Sequence, residues 1–437
     1  FTWTAVMQLV EQGKVDLDAD INTYLDFKIP PYNGKPVTMR NVMTHTAGFE
    51  ETLKYLIGEE GETMPGFDAI LKERVPARIF PPGTMTAYSN YGCALAGYVV
   101  QRVSGMPFND YVTKHIFAPL AMNSTTFEQP LPKALKPRMS TGYEFASQKA
   151  HKFELVGPAP AGSSSTTASD MARFMIAHLQ DGRFGDAQIL KPETARLMHG
   201  TPLTVLPHGN RMLLGFYEST LKGRRMIAHG GDTEWFHSDM NLFLDHGVGL
   251  FVSFNSPGKD AAAHPLRSTL LELFADRYFP VDAPKTKPLD RKVADEHAAM
   301  IAGHYISSRR VETTFMSLLT LASEVKVFPN DDGTISTSLM LSPTGEPLRW
   351  REIEPFLWQQ VHGDEILIGE VKDGKVWRFS IGAYAPIMLF ERPAPLKAGT
   401  WLLPAFATGL AVLLLTALAW PISALARRYF RSPSRLP

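Results

Sequence analysis

The sequence predicts an α+β fold, and three observations predict it. Apolar residues recur at helical spacing early in the chain, over 1–10, 94–100, 108–116 and 168–179. From about Leu213 the period becomes extended, with strand candidates at 213–217, 225–229, 238–244 and 248–254. Residues 266–278 return to helical spacing and are placed to pack on that sheet. Helices first, an antiparallel sheet later and a closing helix define the class.

Taken in order, Phe1, Trp3, Val6, Met7, Leu9 and Val10 form an apolar helical stripe that Gly13 stops. Thr38 is the expected cap of a short helix that Gly48 ends. Residues 50–78 read as helical in part. Pro81-Pro82-Gly83 turns the chain into Tyr88-Ser89-Asn90, and an apolar helix follows from Ala94. Residues 129–153, rich in Pro and Lys, read as a long excursion, and Ser169 is the expected cap of the next helix. Asp245-His246-Gly247 is a tight connection between strands. These elements make a first domain over 1–282. A linker at 283–290 leads to a small β-rich domain at 291–396. There, strands at 325–328 and 334–337 flank one turn, and strands at 365–368 and 376–379 flank Asp373-Gly374. This second domain shows no cluster of Ser, His and acids. Packing, spacing from a membrane or contact with the first domain are its expected roles.

The 437 residues are 44% hydrophobic and 20% charged, with a formal net charge of zero. That balance gives no support for nucleic-acid binding. Cys93 is the single cysteine, so no disulfide forms within the chain, and its small, apolar neighbours mark it as core. Residues 398–426 carry no charge, and Trp401 and Trp420 bracket a run of Leu, Ala, Val and Phe. About 20 such residues rise roughly 30 Å as a helix, the thickness of a bilayer core. Arg427, Arg428, Arg431 and Arg435 follow. The pattern predicts a transmembrane helix over 399–424, a basic cytoplasmic tail over 425–437 and an external location for everything before it.

Two polar stretches carry chemistry. In an extended segment Tyr88 and Asn90 share a face, and a phenol beside a carboxamide can relay a proton and hold an amide. His229 ends a strand candidate and is followed by Gly230, Gly231 and Asp232. Bare N–H groups on such a strand suit an acyl substrate and its developing oxyanion. His45 is expected to make a buried structural hydrogen bond. Residues 162–167 lack a Gly-x-Ser-x-Gly elbow. No His-x-x-x-His or Cys-containing ligand spacing is present, so neither a metal nor another cofactor is expected.

His45-Thr46-Ala47-Gly48, Tyr88-Ser89-Asn90 and His229-Gly230-Gly231 occur in that order, with Ser169-Asp170-Met171-Ala172-Arg173 between the last two. Over about residues 1–280 the chain thereby resembles the serine β-lactamase and penicillin-binding-protein superfamily. The similar branch is that of class C β-lactamases, D-alanyl-D-alanine carboxypeptidases and esterases. The resemblance implies a helical subdomain beside a five-stranded antiparallel sheet, with the site between them. It implies a Ser-x-x-Lys element at the start of the helix entered at Phe1, hence upstream of it, and a chain that forms no acyl-enzyme as given. It casts Tyr88 as proton relay and Asn90 as holder of the substrate amide. His229 would bond Tyr88 and meet a substrate carboxylate. Asp232, after Gly230 and Gly231, would lend its N–H to the oxyanion hole. An imidazole is mostly neutral at pH 7, which favours peptidase or esterase activity over efficient β-lactam hydrolysis. The complete protein is therefore expected to be a membrane-anchored, cofactor-free serine hydrolase. Its catalytic domain would be periplasmic or extracytoplasmic, acting on small molecules or cell-wall peptides. The alternative is an inactive binding or sensor protein that keeps the fold, and a serine and a lysine three apart just before Phe1 would decide between them.

Overall fold

A computed structural model describes the chain apart from residues 146–147, 201–202, 204, 282–285, 343, 383, 385 and 432–437. Positions 283–285 of the expected linker, and Arg435 of the expected tail, lie outside the described residues.

The first helix, α1 (Thr2–Glu11), is buried along most of its length. Trp3 shows why the surroundings had to adapt: Gly215 sits at φ +94°, and a Cβ there would lie 2.4 Å from the Trp3 side chain. Helix α2 (Met39–Met43) starts from a reciprocal cap, in which Thr38 Oγ1 accepts from the Asn41 N–H and Asn41 Oδ1 accepts from the Thr38 N–H. It stops at Met43, before the expected Gly48. Gly48 instead serves a close approach, since a Cβ there would meet the Phe80 carbonyl at 2.1 Å. Helix α3 (Asn90–Ser104) carries the main apolar seam, with Tyr91–Val100 buried. Each large apolar side chain so removed from water contributes about 1.5–3 kcal/mol, and α1, α2 and α3 share one core. Helix α4 (Ala168–Leu179) is capped by Thr167, not by Ser169. Thr167 has the extended backbone that aims its hydroxyl at the Asp170 N–H, at 3.2 Å, whereas Ser169 is already inside the helix.

The sheet has four antiparallel strands among the described residues, where the resemblance implies five. They run in sequence order: β1 (Tyr217–Leu221), β2 (Arg224–Asp232), β3 (His237–Phe243) and β4 (Val248–Phe254). Helix α5 (Ala263–Tyr278) covers one face through Ala275 and Phe274, against Met226 and Phe243. Met175 of α4 lies against Gly249 on β4. The pairing of β1 with β2 stops at Ala228, which leaves His229–Asp232 bonded only to β3.

After α6 (Arg291–Ile301) the chain closes an antiparallel barrel of eight strands. These are β5 (Gly303–Ser307), β6 (Val325–Pro329), β7 (Ile335–Leu341), β8 (Pro347–Glu354), β9 (Leu357–Gln360), β10 (Ile366–Lys372), β11 (Lys375–Ile381) and β12 (Phe390–Glu391). Trp350, Trp358, Phe379 and Tyr305 fill its interior and are fully buried. Asp373 and Gly374, at φ +52° and +73°, make the two-residue hairpin between β10 and β11. The last helix, α7 (Gly399–Tyr429), is 31 residues long and apolar, and its side chains face outward along the span.

The barrel is joined to the first domain through the Tyr88 segment. Ala87 pairs with Met388, and the Tyr88 N–H donates to the Ile387 carbonyl at 2.9 Å. Ser308 Oγ donates to the Thr86 carbonyl at 2.6 Å, and Arg378 Nη1 to the Thr84 carbonyl at 2.8 Å. Glu50 binds the N–H groups of Glu312 and Thr313, each at 2.8 Å.

Candidate active site

Tyr88 stands just before α3, where Ser89 caps the helix by accepting from the Gly92 N–H at 3.1 Å. The segment is thus extended through Ser89 and turns helical at Asn90, which is half-buried at the mouth of the helix. The ring of His45 lies 4.1 Å from the Tyr88 ring, tilted by 31°. Nδ1 of His45 accepts from the Ser89 N–H at 3.3 Å, the buried structural bond expected of it. Burial holds the His45 imidazole well below its ordinary range, so it stays neutral, and the backbone at φ +51° fixes its position.

The Tyr88 hydroxyl has the Cys93 thiol beside it, with Sγ at 3.8 Å. Burial, with Cys93 next in weight, drives the phenol well above its usual pKa, while Arg309 pulls the other way. Cys93 is pushed up to about 12 by burial, which makes it a core thiol and not a nucleophile. The start of α1 closes this corner, with Phe1 beside Cys93 and His229.

Across the cleft, His229 lies on the part of β2 that β1 does not cover. Its ring is 6.2 Å from that of Tyr88 and 5.7 Å from that of Tyr217. The expected bond between His229 and Tyr88 is replaced by a bond within the strand: Nδ1 of His229 donates to the Gly230 carbonyl at 2.7 Å. A carbonyl can only accept, so in the neutral ring Nδ1 carries the proton and Nε2 is an acceptor. Burial lowers the imidazole and keeps it in that form.

The open edge of β2 presents backbone donors. The Thr233 N–H turns toward β3 and donates to the Phe236 carbonyl at 2.9 Å. Because N–H groups alternate sides along a strand, that of Asp232 faces the uncovered edge. A Cβ on Gly231 would meet nothing within 4 Å, whereas one on Gly230 would touch the Tyr217 hydroxyl at 3.3 Å. The Asp232 carboxylate anchors the strand end, accepting from His237 Nδ1 at 2.7 Å and pairing with Arg267 Nη1 at 3.1 Å. Ligand atoms of Asp232, His237 and His264 lie within 4.8 Å of one another. Arg267 bridges Asp232 and His264, so a guanidinium already supplies the positive charge there.

The structure thus brings the Tyr88 ring beside that of His229, at the start of the uncovered stretch His229–Asp232, with Asn90 two residues after Tyr88 at the mouth of α3. It adds residues that the sequence reading missed. Tyr217 and Cys93 flank the two rings. Glu154, buried and about 75 residues upstream in sequence, binds the turn after Asp232 through Thr233 Oγ1 at 2.6 Å and the Glu234 N–H at 2.7 Å. Arg309 comes from the barrel, its guanidinium carbon 5.1 Å from the centre of the Tyr88 ring. No local motif marks these four; only contact across the fold does.

A phenol facing an open strand edge, between a helical subdomain and an antiparallel sheet, is the architecture of a β-lactamase-type serine hydrolase. The chain belongs to the Beta-lactamase family, whose model matches residues 1–272. Among curated relatives, it is 29% identical over 187 residues to "Putative penicillin-binding protein PbpX" of Bacillus subtilis, covering 41% of this chain and 44% of the relative. It is 28% identical over 259 residues to the D-alanyl-D-alanine-carboxypeptidase/endopeptidase AmpH of Escherichia coli, covering 56% and 66%. The chain therefore spans roughly half to two thirds of the length of these relatives. The octameric penicillin-binding protein homologue from Pyrococcus abyssi aligns over 89% of this chain and 86% of its own, with a TM-score of 0.52 at 19% identity. SurE aligns over 90% and 85%, with a TM-score of 0.56 at 19% identity, so the likeness in fold extends through the barrel.

Proposed function

We propose that the complete protein is a membrane-anchored serine hydrolase that acts through an acyl-enzyme, on peptide or ester bonds in preference to β-lactams. The observation that carries this reading is the convergence of the Tyr88 phenol with the open β2 edge at His229–Asp232. In this reading the serine and its lysine belong to a Ser-x-x-Lys element preceding Phe1, because α1 runs back to the corner formed by Cys93 and His229. The serine oxygen attacks the acyl carbonyl, and the leaving group departs with a proton. Tyr88 relays it: the protonated phenol accepts the serine proton as it gives its own to the leaving group. The Asp232 N–H and the N–H of the serine receive the oxyanion, and Asn90 holds the amide next to the scissile bond. Water then releases the acyl group.

Peptide or ester substrates are favoured because His229 is neutral and turns a lone pair, not a cation, toward a carboxylate. The relative named as a D-alanyl-D-alanine carboxypeptidase/endopeptidase points the same way. The outward-facing apolar side chains of α7 suit a bilayer better than water, and Arg427 and Arg428 at its end favour a cytoplasmic position for that end by the positive-inside rule. The catalytic domain then lies on the outer side of the membrane.

The test is labelling of the full-length protein with a fluorophosphonate, followed by mapping of the modified residue. A modified serine just upstream of Phe1 is expected, with Tyr88→Phe slowing turnover of a D-Ala-D-Ala peptide by about 10² or more. Absence of labelling, or near-normal turnover in Tyr88→Phe, rejects the reading.

A further inference from the structure

We infer that the C-terminal barrel is a working part of the active site, supplying Arg309 as a positioning residue that favours ionisation of Tyr88. This rests on the reading of Tyr88 as proton relay and adds to it a partner from a different domain.

The guanidinium of Arg309 lies over the face of the Tyr88 ring at 5.1 Å. It is held there at both ends. Its Nε donates to Glu51 Oε2, and its backbone N–H donates to Ser307 Oγ at 3.1 Å. Glu51 is nearly buried, and its own N–H donates to the Arg310 carbonyl at 2.9 Å, so the loop carrying the counter-ion is fastened to the loop carrying the cation. The Tyr88 backbone is fixed to the same barrel by the bond to Ile387 and by the pairing of Ala87 with Met388. Ring and cation therefore share one rigid support, 221 residues apart in the chain.

The remaining ionisable groups around Tyr88 carry no charge at neutral pH. Burial keeps His45 and His229 deprotonated and Cys93 and Tyr217 protonated. Arg309, with Glu51 behind it, is thus the cation facing the phenol among the described residues. A cation at this range favours the phenolate and polarises the O–H bond that the relay must break. The neutral His229 does not supply that charge; Arg309 adds it from the barrel, beside whatever the lysine of the Ser-x-x-Lys element contributes in the complete protein.

The experiment uses the full-length protein with 3,5-difluorotyrosine at position 88, which brings the phenol into an accessible pH range and gives a 19F signal to titrate. Replacing Arg309 by Met is expected to raise the ionisation midpoint by about one unit or more, and Arg309→Lys to restore most of it. In the unfluorinated enzyme Arg309→Met should lower kcat about tenfold or more with little change in KM. Because Arg309→Met leaves Glu51 unpaired, the double variant Glu51→Gln/Arg309→Met is run beside it, and a shift in either folded variant supports the proposal. An unchanged midpoint in every folded variant overturns it. A shifted midpoint with unchanged turnover upholds the link between Arg309 and Tyr88 while rejecting Tyr88 as the relay.

Discussion

The Gly230 carbonyl fixes the tautomer of His229. With Nδ1 committed as donor at 2.7 Å, the neutral ring offers only a lone pair at Nε2. A hydroxyl donor is welcome there and a carboxylate is repelled. His229→Lys replaces that acceptor by three donors and a charge. One charge-assisted hydrogen bond is worth about 1.5–3 kcal/mol, so KM for a carboxylate-bearing cephalosporin should fall by about tenfold or more. Turnover of an uncharged short-chain ester should change much less. Steady-state kinetics on the two substrates checks this, and equal effects on both would show that the imidazole does not govern charge selection.

At the scale of elements, local rules account for what was legible. The hairpin at Asp373-Gly374, the Thr38 cap and the apolar span of α7 each depend on a few neighbouring residues, and each forms where its residues dictate. The cap of α4 moved from Ser169 to Thr167 because both carry a hydroxyl, and only the backbone angle decides between them. The motifs around Tyr88 and His229, through the family they resemble, led to the expectation that the two meet, and their rings lie 6.2 Å apart. Their supports were not legible, since Arg309 and Glu154 reach the site through long-range contacts that leave no periodic trace. Glu154 gives a test of such a support. Its carboxylate holds the β2–β3 turn through Thr233 Oγ1 and the Glu234 N–H. Glu154→Gln weakens two charge-assisted bonds and sets an amide donor against backbone donors, a cost of about 2 kcal/mol. Lower thermal stability and faster amide hydrogen exchange over residues 232–236 are expected, with a reduced kcat because the Asp232 N–H adjoins the loosened turn. Exchange rates equal to those of the parent would show that the turn holds itself.

Across the whole molecule, the helical subdomain is tied together by a buried histidine pair. His178 on α4 meets the helix Pro192–Gly200 through its Nδ1, 2.9 Å from Nε2 of His199, while its Nε2 lies 3.4 Å from Thr4 Oγ1 on α1. Phe216, just before β1, packs on both rings. One ring donates and the other accepts, so the accepting ring at least must be neutral. Burial supplies that condition, lowering His199 from 6.5 to about 4 and His178 well below its ordinary value. In the unfolded chain both histidines protonate near 6.5, so below that pH the unfolded state binds more protons than the folded one. Stability is therefore fully present above about 6.5 and is lost as the pH falls toward 4. His199 alone accounts for up to about 3 kcal/mol of that loss. Replacing the pair together, His178→Phe/His199→Leu, removes both titrating groups and leaves neither histidine facing an empty partner, at the cost of the Thr4 Oγ1 contact. Melting temperature measured from pH 7.5 to 4.5 should fall steeply in the parent and more gently in the double variant, with carboxylates supplying the remaining slope. Parallel curves would mean that the pair takes up its protons without unfolding pressure, and that the acid sensitivity of the fold lies elsewhere.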